Sequence, residues 1–229
     1  MYFQYGEAET AYLSAKDERM ATMVSTISGA TMKEVVSFII MDYGCGIMIL
    51  LVVYPLLIKL LARVPVIPFM KKISEPMIVA VTTTSSAATL PISIKVAGEK
   101  LGVPENIYGF TLPLGNTCGM NGFAMFIGLC CIFASNLYGM PVTVASLAQF
   151  IFLGIILSVG AAGVKGAGVV MSTVLLEAIG MPLNLIPILA AIWSAIDPIH
   201  TLMNNTSDLV GTMLIARQLD KGDMNIYNS

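Results

Sequence analysis

Ile196-Asp-Pro-Ile-His-Thr-Leu-Met-Asn-Asn-Thr-Ser-Asp208 puts two carboxylates and an imidazole inside a largely apolar region covering residues 142–217. Between Glu177 and Arg217 the ionisable residues are Asp197, His200 and Asp208 alone. On a helix turning 100° per residue, Asp197, His200, Thr201, Asn204 and Asp208 share one arc of about 100°. Ile199, Leu202, Met203, Leu209 and Val210 take the other side. A polar seam of this kind is costly at membrane depth and marks a functional site. The plainer alternative is a seam of hydrogen bonds that fixes helix packing. Taken alone, His200 reads as a neutral hydrogen-bonding residue, and its place in the stripe argues for a site without arguing for proton coupling.

The rest of the chain supports a bilayer setting. Of 229 residues, 56% are apolar and 11% charged, with a net charge of −2. Soluble domains carry about 25% charged residues. Residues 106–164 contain no Asp, Glu, Lys or Arg at all. The charge balance excludes a general polyanion binder, so no nucleic-acid partner is expected. Cys45, Cys118, Cys130 and Cys131 lie in apolar stretches without metal-ligand spacing and read as packing residues. Residues 1–35 read as a polar leader without assigned role, and residues 221–229 as a cytoplasmic tail.

Apolar regions follow the leader at 36–61, 78–96, 109–134 and 142–217. The first suits one transmembrane helix of about 20 residues. The second is rich in Thr, Ser and Ala and is expected to break at Pro91. The third is interrupted by Gly115, Gly119 and Gly122, and the fourth by the small-residue run 160–168, by Pro182 and by Pro198. Irregular backbone survives in hydrocarbon only where protein or a cavity covers it. The two small-residue breaks therefore suggest re-entrant hairpins whose tips meet inside the protein, with ordinary small-residue helix contact as the alternative. The predicted architecture is all-α and membrane-embedded. It comprises a transmembrane helix at 36–62, a re-entrant hairpin at 68–100 and a broken helix at 107–134. A helix with a second re-entrant hairpin follows at 142–180, then the striped helix at 184–217.

The order "hairpin, then polar-interrupted helix" occurs twice, which points to a secondary transporter with an internal repeat. Lys59, Arg63, Lys71, Lys72, Lys95, Lys100, Arg217 and Lys221 fall in alternate loops, whereas loops 136–146 and 177–184 hold no basic residue. That bias places the basic loops in the cytoplasm and opens the two hairpins to opposite sides. The chemistry suits a zwitterionic solute. Asp197 can pair with an ammonium group, while hairpin amides and the hydroxyls of Ser85 and Ser86 can receive a carboxylate. Asp208 lies about 16 Å further along the helix, far enough for a separate cation, and unwound backbone at 115–122 supplies carbonyls.

Thr84-Ser-Ser-Ala-Ala-Thr-Leu-Pro91, Tyr108-Gly-Phe-Thr-Leu-Pro-Leu-Gly115, Gly163-Val-Lys-Gly-Ala-Gly168 and Asp197-x-x-His-Thr-x-x-Asn-x-x-x-Asp208 resemble the dicarboxylate/amino acid:cation symporters, the family of the glutamate transporters. The resemblance runs over residues 36–220 and implies a transport domain. It also implies an elevator-type, multi-pass transporter in the plasma membrane, forming homotrimers and coupling Na⁺, or alternatively H⁺, to uptake of an amino acid or dicarboxylate. No organic cofactor and no enzymatic activity are implied. By position, the resemblance assigns substrate contacts to Ser85, Ser86, Val164, Gly168, Asp197, Thr201 and Asn204. It assigns one sodium site to Gly115, Asn204 and Asp208, and a second to Thr117, Met120, Ser158, Val159 and Ala161.

Departures from the family pattern point to the substrate. Gly119 and Asn121 replace the side chains of a third sodium site, and Lys165 stands where a Pro is usual at the outer hairpin tip. Phe123 replaces a hydroxyl, and His200 an Arg, that serve a second substrate carboxylate. A neutral imidazole cannot clamp a carboxylate bidentately. A neutral amino acid is therefore expected over aspartate or glutamate. The family's N-terminal scaffold has no counterpart here, so the second expectation is a non-transporting fragment or assembly remnant. A third, a membrane enzyme using Asp197 and His200 as a catalytic pair, lacks a nucleophile motif.

Overall fold

A computed structural model describes residues 32–161 and 167–229, and among these it contains helices and no strand. Helix α1 (Met32–Met48) continues through a π-helical segment (Ile49–Val53), helix α2 (Tyr54–Leu57) and a second π-helical segment (Ile58–Ala62). Together they form one apolar rod that ends where Arg63 adopts a left-handed conformation. A short helix, α3 (Val66–Lys72), leads into a helical hairpin of α4 (Ser74–Thr83) and α5 (Ser86–Glu99). The ten residues of α4 rise about 15 Å, half of a hydrocarbon core.

The hairpin turns at Thr84 and Ser85 rather than at Pro91. Thr84 takes a left-handed φ of 50°, and Ser85 caps α5 by accepting from the Ala88 amide. Pro91 lies inside α5, where the helix continues through it, contrary to the expected break. The proline removes one amide donor, but it sits near the exposed first turn, where Ala87 reaches solvent.

Helices α6 (Glu105–Cys118) and α7 (Asn121–Leu137) are two halves of one long apolar segment, parted at Gly119 and Met120. Helix α8 (Val144–Gly160) opens with a reciprocal Thr143–Ser146 capping box, and α9 (Ala167–Ala178) packs near its end. A 3₁₀ turn (Leu183–Leu185) following Pro182 starts α10 (Ile186–Gln218), which continues through Pro198 instead of breaking there. A final turn of helix, α11 (Met224–Asn228), closes the chain.

Helix α10 is the axis of the molecule. Its apolar side is buried as thoroughly as its polar side, with Ile199, Met203, Leu209 and Val210 all packed inside. Two apolar clusters flank it. One gathers Leu50, Tyr54, Ile58, Phe69, Leu112, Met203 and Met213. The other gathers Phe38, Phe123, Phe126, Leu175, Leu189 and Trp193. The boundary between them crosses α10 near Ile196 and Ile199, where the polar residues lie.

One end of the bundle collects the basic residues. Arg217 donates to the Ala62 carbonyl, Lys72 stands over the Tyr227 ring, and Lys100 pairs with Glu75 at 3.0 Å. Among the described residues three segments are long and apolar enough to cross a membrane, Lys33–Ala62, Glu105–Leu137 and Leu183–Gln218.

Candidate functional site

The middle of α10 brings most of the expected residues into one buried layer. Asp197, His200, Thr201 and Asn204 are all buried, and the Thr201 hydroxyl donates to Asp197 Oδ1 at 3.4 Å. Ser86, at the hairpin tip, is buried against the same helix, where its Oγ accepts from Asn205 Nδ2 at 3.0 Å. Ser85 lies beside it, with its hydroxyl used as the α5 cap. Phe123 stacks on Phe126 with ring centroids 5.7 Å apart and meets Trp193 edge-on. Gly168, in the first turn of α9, has its Cα seated directly on the Trp193 ring. Val164 and Lys165 lie outside the described residues.

The break between α6 and α7 is organised by α10. Asn204 Oδ1 accepts from the Gly122 amide at 2.7 Å, and its Nδ2 donates to Met120 Sδ at 3.2 Å. Asn204 thus satisfies one of the orphan amides at the start of α7. One turn further on, the Asp208 carboxylate packs against the backbone of Gly115 and Gly119, and a Cβ at Gly119 would stand 2.5 Å from Oδ1. Only glycine lets that carboxylate so close to the peptide chain. The place is electrostatically one-sided, because the carbonyl end of α6 already carries partial negative charge. A carboxylate added to it calls for a cation. Among the described residues no group of three or more His, Cys, Asp and Glu side chains converges. Any ion here would therefore rely on Asp208 and backbone oxygens, the ligand type that hard cations take.

The second expected sodium set divides between two elements. Thr117 donates to the Pro113 carbonyl and Met120 is buried at the break. Ser158 and Val159 lie in the last turn of α8 and Ala161 caps it, in the same apolar cluster as Met120. Valine has no ligating side-chain atom, so at Val159, whose side chain is exposed, only the backbone carbonyl could serve as a ligand.

The sequence reading missed three side chains. Asp42, on α1, is fully buried, and both its oxygens lie 2.9 Å from His200 Nε2. The carboxylate bonded to His200 is therefore Asp42 and not its helix neighbour Asp197. The signal was present, because Asp42 is the lone charged residue from 35 to 58. Trp193 packs against His200, with ring centroids 5.7 Å apart, and Asn205 holds the hairpin tip.

Comparison with known proteins adds an independent line. The model of a family described as "Sodium:dicarboxylate symporter family" matches residues 19–218. The neutral amino acid transporter B(0) of Rattus norvegicus is 34% identical over 174 residues, covering 76% of this chain and 31% of that protein. Excitatory amino acid transporter 3 of Mus musculus is 30% identical over 186 residues, covering 78% of this chain and 36% of that protein. The chain spans about a third of the length of such relatives.

Proposed function

Because the chain belongs to the sodium:dicarboxylate symporter family, we propose that it forms the transport core of a secondary symporter that couples Na⁺ entry to uptake of a small amino acid. Residues 36–220 act as the transport domain. The hairpins at 68–100 and 142–180 are re-entrant, and the basic end of the bundle faces the cytoplasm. In this reading Asp197 receives the substrate ammonium, while Ser86, Ser85, Thr201 and Asn204 surround its carboxylate. Gly168 covers it from the second hairpin. The homotrimer and the plasma-membrane location belong to the same proposal, on the family's pattern.

The observation that carries the reading is Asp208 lodged against the parted backbone of α6 and α7. It is supported by the buried polar layer of α10, which lies between two apolar clusters. Phe123 and His200 favour a neutral amino acid over a dicarboxylate. The imidazole already faces Asp42, and the rings beside it offer no cation to a second carboxylate.

Thermal unfolding in sodium and in choline buffer, with a panel of amino acids, tests the proposal. A ligand at a hundred times its Kd stabilises the folded state by about 2.7 kcal/mol. Neutral amino acids should therefore raise Tm in sodium and not in choline, and Asp208→Asn should abolish the difference. No stabilisation by any amino acid in sodium would overturn the transporter reading and favour an assembly remnant.

A further inference from the structure

A groove of about 630 Å³ runs between the start of α1 and the end of α7, and among the described residues none of its lining belongs to α10. At one end Lys33, Glu34 and Ser37 line it from α1 and Asn136 from α7, all of them exposed. At the other end it is lined by Met41 and Leu129. Phe38, 4% exposed, packs on Phe133 with ring centroids 4.9 Å apart and joins the two walls. The rod that begins with α1 ends at the basic end of the bundle, whereas α6 and α7 run away from that end. Both walls therefore turn from polar to apolar in the same direction.

That gradient is the gradient of one bilayer leaflet. From Lys33 to Met41 the helix rises about 12 Å, and from Leu129 to Asn136 about 11 Å. The hydrocarbon of one leaflet is about 15 Å deep, half of the core. Charged residues at the end of a span reach for the interface, so the mouth of the groove stands among the headgroups and its depth among the chains. Residues adjacent in sequence do not face each other on a helix. Among the described residues neither Lys33 nor Glu34 has an ion-pair partner. The mouth thus presents one unpaired cation and one unpaired anion, side by side, above an apolar slot.

We propose that this groove is a lipid site that holds one zwitterionic phospholipid with a primary ammonium group. Lys33 receives the phosphate, Glu34 the ammonium, and one acyl chain lies between α1 and α7 towards Met41 and Leu129. Charge complementarity selects this headgroup. An anionic lipid satisfies Lys33 and leaves Glu34 facing a headgroup without a cation. A quaternary ammonium brings the charge but has no N–H, whereas a primary ammonium gives Glu34 a charge-assisted hydrogen bond. The site requires that α1 and α7 lie in a bilayer and stands apart from the transport reading.

Photolabelling of the full chain in phosphatidylcholine nanodiscs tests the site against an internal reference. Trace phosphatidylethanolamine or phosphatidylglycerol carries a diazirine on one acyl chain, and adducts are mapped by peptide mass spectrometry. The reading is the yield at 38–41 and 129–133 divided by that at 151–156, the exposed apolar face of α8. The phosphatidylethanolamine probe should be enriched in the groove about fivefold, the upper end of what an exposed ion pair contributes. The phosphatidylglycerol probe should show no enrichment. Glu34→Gln should erase the difference between the probes. Ser37→Trp, which plugs the mouth from an exposed position, should bring the ratio to one with the α8 yield unchanged. Equal ratios for both probes, or a ratio that ignores Ser37→Trp, would mean annular lipid only and refute the site. Adducts on α8 but none in the groove would give it to a polypeptide occupant, residues 1–31 or a second copy of the chain, and refute it too. Adducts at neither place would remove the bilayer setting itself, an outcome that amino-acid binding does not report.

Discussion

Asn205 shows how one position can escape a helical-wheel argument. Counted at 100° per residue from Asp197, it falls about 80° round the helix, outside the arc of the other polar residues. Yet it is buried, and its amide donates both to Ser86 Oγ at 3.0 Å and to the Thr201 carbonyl at 2.8 Å. A hairpin tip arriving from the side gives it a partner that no single-helix projection contains. Asp42 escaped for a related reason, since its partner lies 158 positions away in the sequence. The stripe itself was legible because Asp197, His200, Thr201 and Asn204 need only one helix to come together. We expect Asn205→Leu to leave Ser86 without its donor and the tip loosely seated. One lost hydrogen bond is worth about 1 kcal/mol, so amino-acid affinity measured by titration should fall about fivefold to tenfold. An unchanged affinity would show that the tip is held by other contacts.

Elements were legible where apolar length or capping chemistry was strong, and less so at the prolines. Pro91 and Pro198 looked like breaks, but both lie inside helices, because packing against neighbours outweighs one missing hydrogen bond. The real breaks came from Thr84 in a left-handed turn and from the Gly119–Met120 gap, which Asn204 bridges from α10. How close these elements lie can be tested with two glycines. A Cβ at Gly122 would stand 2.6 Å from the Cα and carbonyl oxygen of His200, backbone atoms that cannot step aside. At Gly44, on α1, a Cβ meets nothing within 4 Å. Gly122→Ala should therefore lower stability by about 1–3 kcal/mol through overpacking, seen as a lower Tm. Gly44→Ala should leave Tm unchanged or raise it, since alanine is the better helix former by about 1 kcal/mol. Equal effects would mean that α7 and α10 are not in contact as described.

At the scale of the whole molecule, three long segments and one basic end must agree with one another. The rod Lys33–Ala62 ends beside Arg217, whose Nε donates to the Ala62 carbonyl, so the last span terminates at the same end. Asp223 donates its amide to the Gly102 carbonyl, and Tyr227 its hydroxyl to that of Pro65, tying the start of α6 and the connection after α2 to that end too. The segment Glu105–Leu137 leaves from there and is 33 residues long. At 1.5 Å per residue it reaches about 50 Å, enough to cross with tilt. The turn at 138–143 must then lie on the far side. Around this frame the rod Lys33–Ala62 exposes Ile40, Leu51, Val52, Leu56 and Leu60, and α8 exposes Ile151, Phe152, Ile155 and Ile156, an apolar belt that water would not tolerate. Cysteine labelling tests the arrangement once Cys45, Cys118, Cys130 and Cys131 are replaced by serine or alanine. With an impermeant maleimide on sealed vesicles of known orientation, Lys72→Cys and Lys221→Cys should react from the cytoplasmic face alone. Gly139→Cys should react from the opposite face, and Ile155→Cys from neither, because lipid covers it. Labelling of positions 72 and 139 from the same face would remove the crossing between them, and with it the proposed approach of two hairpins to one site from opposite sides.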